Sequence, residues 1–203
     1  MIAVIDYGVG NLFSLVSSLR FLELDCIVTN KREDLLRAER IILPGVGAFG
    51  DAMAKLRESG LEDTVKELAG AKPLLGICLG MQILFDKSYE HGEHEGLGLI
   101  PGTVAPLAAD IGPALKVPHM GWNRLEVVRD DPIFKYFTNG EWVYYVHSFY
   151  AKNCTENILG VSEYSVMVTG LVRSGSGKVY GMQFHPEKSG EAGLRLLRAF
   201  AEI

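Results

Sequence analysis

The sequence has few of the features that would place it outside a reducing, aqueous compartment. Three cysteines, at positions 26, 78 and 154, cannot all pair within the chain and show no metal-ligand spacing, so a disulfide framework is not expected and each thiol is read by itself. No apolar run approaches the length of about 18 residues that a membrane span needs. The apolar start after Met1 already contains Asp6 and lacks a cationic region or a small-residue cleavage pattern, so no secretory leader is expected and the expected location is cytoplasmic. Positive charge is not in excess: 20 Lys+Arg against 25 Asp+Glu give −5 without long like-charge runs, which argues against nucleic acid as a partner. Repeats, low-complexity tracts and linker-like segments are also missing. The 203 residues, 48% of them hydrophobic, suit one domain, 1–203, around one sizeable core.

What is present is an alternation of short apolar runs and helical spacing over the first 90 residues, the pattern of parallel strands joined by crossover helices. Ile2–Asp6, Cys26–Thr29, Arg40–Leu43 and Leu74–Ile77 read as strands, the third ended by Pro44 and Gly45, the fourth apolar enough to be buried on both faces. Leu12–Leu24, Asp51–Ala69 and Leu79–Phe85 have helical spacing. After Tyr89 the texture changes to β-like pieces broken by Gly, Pro and Asn: Val104–Leu107, Arg124–Val128, Trp142–Val146, Ile158–Tyr164, Val168–Arg173 and Lys178–Phe184. These predict antiparallel additions to a mostly parallel, helix-flanked open sheet, closed by a helix over Gly190–Ala201.

One cysteine stands out by its neighbours. In Gly76-Ile77-Cys78-Leu79-Gly80 a buried strand hands over to a helix, the cysteine counterpart of a nucleophile elbow, and a turn that sharp leaves no room for side chains at 76 and 80. The elbow lifts Cys78 clear of the sheet, near a helix N-terminus whose dipole favours thiolate. A buried structural cysteine is the plainer explanation of an apolar-flanked thiol, but it does not account for the paired glycines.

A thiol that attacks an amide must also return a proton to the departing amine, so a histidine with its own orienting group is required. Gly181-Met182-Gln183-Phe184-His185-Pro186-Glu187 supplies one: Pro186 pushes His185 toward extended geometry, and i, i+2 spacing or a slightly irregular turn brings Glu187 beside the imidazole. A third element is Pro44-Gly45-Val46-Gly47 at a strand's C-terminal end, where ligand crevices of open parallel sheets lie. Its glycines leave the Val46 backbone free to turn an N–H toward an oxyanion, alongside the N–H of Leu79.

These residues resemble the class I, or triad, glutamine amidotransferases, marked by G-x-C-x-G-x-Q, here Gly76 to Gln82, and a distal H-P-E, here His185 to Glu187. Five further segments resemble the glutaminase subunits of imidazole glycerol phosphate synthase: Asp6-Tyr7-Gly8-Val9-Gly10-Asn11, Pro44 to Phe49, Pro118-His119-Met120-Gly121-Trp122-Asn123, Val146-His147-Ser148-Phe149-Tyr150 and Phe184 to Ser189. The resemblance implies a flavodoxin-like α/β fold and a γ-glutamyl thioester on Cys78, with His185 moving the proton and Glu187 orienting it. It implies that Gln82 helps to hold L-glutamine, with backbone at Val46, Gly47, Leu79, Ser148 and Phe149 completing the pocket. Ammonia is then expected to pass to a (β/α)₈ cyclase subunit, bound as a heterodimer. That subunit joins it to a phosphoribulosyl formimino nucleotide in histidine biosynthesis, making imidazole glycerol phosphate and AICAR. Asn11, Trp122, Tyr144 and Lys188 match interface positions. No metal or organic cofactor is implied.

Other motifs fail on their own terms. Gly8-x-Gly10 lacks the third glycine of a dinucleotide fingerprint, because residue 13 is Phe. Ser174-Gly175-Ser176-Gly177-Lys178 has Val179 where a phosphate loop needs a hydroxyl, and reads as a hairpin turn. His91, Glu93, His94 and Glu95 read as a mobile solvated loop, with no metal expected. Two other functions stay open at this level: a stand-alone cysteine hydrolase of γ-glutamyl or peptide bonds, and a non-catalytic scaffold that keeps the fold.

Overall fold

The structure, a computed structural model, describes residues 1–203. Its first half alternates as the apolar pattern predicts: β1 (Ile2–Ile5), α1 (Leu12–Phe21), β2 (Cys26–Thr29), α2 (Arg32–Arg37), β3 (Arg40–Gly45), α3 (Phe49–Glu58), α4 (Glu62–Ala71), β4 (Leu74–Cys78) and the one-turn α5 (Leu79–Gln82). Then come β5 (Phe85–Ser88), β6 (His94–Glu95), β7 (Ile100–Pro106), β8 (His119–Arg124), β9 (Glu126–Val127), β10 (Trp142–His147) and β11 (Phe149–Lys152). The chain ends with β12 (Ile158–Tyr164), β13 (Val166–Arg173), β14 (Val179–Met182) and α6 (Gly190–Phe200).

The main sheet has the order β2-β1-β3-β4-β14-β13-β12-β9, parallel from β2 through β14 and antiparallel beyond. Side chains alternate across it. Ala3, Ile5, Ile41, Leu43 and Leu74 join the core under α2, α3 and α4, while Ile2, Val4, Ile42, Leu75 and Ile77 join the core under α1 and α6. Burial on both faces is what a parallel sheet sandwiched by helices requires. Two smaller sheets, β10-β8 and β11-β7-β5-β6, flank it.

Several local expectations are corrected. Pro44 does not end the third strand: β1 pairs with β3 only as far as Ile42, so the missing Pro44 N–H breaks no ladder on that side, while Pro44 and Gly45 stay in register with Ile77 and Cys78. The helical stretch 51–69 is two helices, because Gly60 adopts φ +70° and the Leu61 N–H closes back on the Leu56 carbonyl. Helical spacing over 79–85 yields one turn only, since Leu97, Leu99 and Ile100 take the carbonyls of Ile83 and Leu84 and pull Phe85 into a strand. The additions are not all antiparallel: β14 runs parallel to β4 in the middle of the main sheet. The supposed solvated loop is partly ordered, with His94 and Glu95 opposite Ser88 and Lys87 and an ion pair between Lys87 and Glu93 at 2.8 Å. Ser174–Lys178 does turn the β13–β14 hairpin.

Candidate active site

The elbow is held by three glycines in mutual contact. A Cβ on Gly76 would stand 2.5 Å from the Gly80 oxygen, one on Gly80 1.9 Å from the Leu43 oxygen, and one on Gly45 2.7 Å from the Gly80 nitrogen. Only without those side chains can β3, β4 and α5 approach this closely. Cys78 occupies the apex at φ +55°, ψ −112°, outside the common wells of an L residue. Its sulfur lies 3.8 Å from the Val146 oxygen and 3.9 Å from Nε2 of Gln183. The expected helix-dipole aid is weaker than the sequence suggested, because α5 has four residues and no long stack of aligned peptides behind it.

His185 ends the β14 segment in extended geometry, φ −95°, ψ 100°, as the following proline dictates. Its backbone is fixed at both poles: its N–H donates to the Tyr144 carbonyl at 2.9 Å, and its carbonyl accepts from the Ser189 hydroxyl at 2.6 Å. That hydroxyl in turn accepts the Tyr144 N–H at 2.9 Å. Glu187 reaches Nδ1 of His185 with Oε1 at 2.8 Å, through a 3₁₀ turn over Pro186–Lys188 and not by strand alternation. Both side chains are 3% exposed. Burial pulls the His185 pKa down, but hydrogen bonds to Cys78 and Glu187 outweigh it and raise it to about 9.

A cavity of about 320 Å³ opens over the elbow, within the size range of small-molecule sites. The structure brings Val46, Gly47, Cys78, Leu79, Gln82, Ser148, Phe149 and His185 together on its wall. Gly47 turns there at φ +105°, and the Leu79 N–H is the first of α5, with no intrahelical acceptor. Gln82 spends both amide hydrogens inside the protein, on the Phe149 carbonyl at 2.9 Å and Gln183 Oε1 at 3.0 Å, leaving its oxygen for a ligand.

Four lining residues, Glu90, Pro118, Val146 and His147, and one adjoining residue, Gln183, escaped the sequence reading. Glu90 lines the cavity and accepts the Phe49 N–H at 2.6 Å; it stands just before the His91–Glu95 stretch read as solvated loop. Gln183 touches both Gln82 and the Cys78 sulfur, and its i, i+2 relation to His185 was the available signal. His147 lines the cavity from the end of β10.

The remaining candidates sit around the site. Asn11 caps α1 by accepting the Ser14 N–H at 3.5 Å. Trp122 on β8 is 53% exposed and stands edge-on to Tyr144, its partner in register on β10, at 5.9 Å between ring centroids. Lys188 is exposed on the turn that carries Glu187. No group of three or more His, Cys, Asp or Glu side chains is arranged to hold a metal ion, and no helix is long and apolar enough to cross a membrane.

The family model for glutamine amidotransferase class-I matches residues 3–202. The imidazole glycerol phosphate synthase subunit HisH of Listeria monocytogenes is 48% identical over 204 residues, covering 100% of this chain and 96% of that protein. HisH of Bacillus cereus is 47% identical, covering 100% and 95%. A solved structure described as a glutamine amidotransferase superposes with a TM-score of 0.75 at 22% identity, covering 100% of this chain and 98% of the other, and bears on the fold alone. The chain therefore belongs to the class I glutamine amidotransferases and, within them, to the HisH subunits of imidazole glycerol phosphate synthase.

Proposed function

We propose that this chain hydrolyses L-glutamine to glutamate and ammonia on Cys78, with His185 as acid and base and Glu187 as its orienting carboxylate, and hands the ammonia to a (β/α)₈ cyclase subunit in the cytoplasm. The observation that carries the reading is the convergence of a strained cysteine and a buried His–Glu pair on one cavity. With the thiol's proton held on His185, the Cys78 sulfur attacks the side-chain amide carbon, and the oxygen takes up negative charge that the Leu79 N–H and the Val46–Gly47 backbone are suited to receive. His185 gives its proton to the amide nitrogen, the C–N bond breaks, and ammonia leaves behind a γ-glutamyl thioester. Water then attacks the thioester, His185 takes the water's proton, and the C–S bond breaks to release glutamate. A histidine that keeps its proton at neutral pH is suited to the first half of this cycle. Glu90 carries a charge complementary to the substrate's ammonium group on the cavity wall. We further propose that partner binding reorients the Gly45-Val46-Gly47 backbone, so that glutamine is not hydrolysed to no purpose.

The proposed docking surface includes Asn11, Trp122, Tyr144 and Lys188. Met120 and Trp122, on the outward face of β8, are 60% and 53% exposed. Tyr144 and His185 share two backbone hydrogen-bond routes, one direct and one through Ser189, so pressure on this surface has a short path to the triad. Replacing Cys78 by alanine should abolish glutamine-dependent synthase activity of the chain mixed with its cyclase and spare ammonia-dependent activity. Loss of both would sink the division of labour.

A further inference from the structure

The ribbon β8–β10 holds a polar pair for which the triad chemistry has no use. His119 and His147 stand directly opposite each other at its end, both inward-facing, with His119 Nδ1 2.9 Å from His147 Nε2. Around them runs a chain of polar contacts with a protein backbone group at each end. The Arg124 N–H donates to Asn123 Oδ1 at 2.8 Å, which fixes the orientation of that amide. Asn123 Nδ2 then has two hydrogens to give, one to the Glu163 carbonyl at 2.9 Å and one to His119 Nε2 at 3.3 Å. At the far end, His147 Nδ1 is 2.9 Å from the Phe149 carbonyl, which can only accept.

We propose that His119 and His147 are a tautomer-locked positioning pair that fixes the Phe149 carbonyl, and with it the Ser148–Phe149 wall of the glutamine cavity, in register with the partner-facing strand β8. The lock follows from the two ends. Asn123 donates, so His119 Nε2 must accept and the His119 hydrogen sits on Nδ1; His147 Nε2 must then accept, and its hydrogen sits on Nδ1, pointing at Phe149. Working backward from the Phe149 carbonyl gives the same assignment. A proton added to either ring would set two N–H groups against each other or against the Asn123 amide. Burial keeps both rings neutral, drawing the His119 pKa down to about 4 and, with His119 beside it, that of His147 to about 3.

The pair cannot serve as a proton wire, because it ends on a side-chain amide that has no proton to pass on. Its output is mechanical. The Phe149 carbonyl accepts from His147 and from Gln82, so both its lone pairs are engaged and its place is set by two side chains. The Tyr145 and Tyr164 rings stack on His119 at 4.7 and 4.0 Å and leave it little freedom to turn. Because side chains alternate along β8, His119 faces inward while Met120 and Trp122 face out. A shift of the strand under its outward side chains therefore displaces the pair and the cavity wall together.

The proposal rests on the glutaminase reading, and its test separates the two. Nitrogen-15 spectra of the histidine-labelled full chain at neutral pH should show both rings neutral and protonated at Nδ1; an Nε2–H form or an imidazolium at either position overturns the lock. In the complex with the cyclase, His119→Phe keeps the ring stack and removes the donor. It should raise the KM for glutamine about tenfold, the scale of one lost neutral hydrogen bond, while the glutamine-dependent kcat stays within about threefold and the ammonia-dependent rate is unchanged. An unchanged KM, or a loss confined to kcat, overturns the positioning role. A wild-type complex without glutaminase activity would sink the parent reading instead, whatever the spectra show.

Discussion

Cys78 pays for its position in backbone strain: at φ +55°, ψ −112° a residue with a side chain costs about 1–3 kcal/mol relative to an ordinary well. Alanine ordinarily stabilises relative to glycine by about 0.4–1 kcal/mol, and the order should reverse here. Cys78→Gly should melt above Cys78→Ala by calorimetry, with both inactive toward glutamine; the usual order would show that the elbow is unstrained. His185 gives a pH signature. Its folded pKa of about 9 lies above the ordinary 6.5, so its contribution to stability is complete below pH 6.5 and is lost as the pH rises through about 9. Glu187→Gln should therefore lower the melting temperature more at pH 6.5 than above pH 9, and slow glutamine hydrolysis by about 10²–10⁴-fold. At this scale the sequence was informative wherever a residue type was forced. Glycines at 76 and 80 and the proline after His185 state their own geometry, whereas Glu90 and His147 enter the cavity through tertiary contacts that leave no mark on neighbouring residues.

Elements were less legible than residues. The four parallel strands of the first half follow from short apolar runs alternating with helical spacing, the fourth too continuous for a one-sided sheet, and α6 from clean helical spacing. Phe85–Ser88 and Phe149–Lys152 were missed because their pairing is tertiary: Phe149–Lys152 lies along β7, and Phe85–Ser88 lies between β7 and β6. Where helices meet turns, the decisive contacts are again tight. A Cβ on Gly193 of α6 would stand 2.0 Å from the Pro186 oxygen, so the absence of a side chain lets the helix seat the turn that carries Glu187. Gly193→Ala should destabilise the fold by about 1–3 kcal/mol, the usual cost of overpacking, and cut glutaminase activity more than the melting shift alone explains. Activity that merely tracked the folded fraction would mean the turn relaxes without moving Glu187.

For the whole molecule, the chemistry and the proposed docking surface share one end of the ribbon β8–β10 and the turn after β14. Lys188 is the cleanest probe of that arrangement, being exposed and without an ion-pair partner. Lys188→Ala should leave the melting temperature within about 0.5 kcal/mol of wild type, as surface changes do, and lower glutamine-dependent synthase activity with the cyclase. A large melting shift with a normal synthase rate would remove Lys188 from the coupling. The sequence drew the sheet as antiparallel additions to a parallel core but could not place β14, which was read as one more antiparallel addition and instead inserts beside β4 and runs parallel to it.

That insertion bears on how the protein is made. A chain leaving the ribosome exposes Cys78 at the open margin of a half-built sheet until residues 179–187 have emerged, because β4 has no neighbour on that side before β14 arrives. Parallel pairing over so long a stretch is slow to form. A product that stops short of residue 185 thus has the thiol but neither the histidine nor the carboxylate of the proposed triad. On the proposed chemistry, glutamine is safe from it until the segment 179–187 is in place.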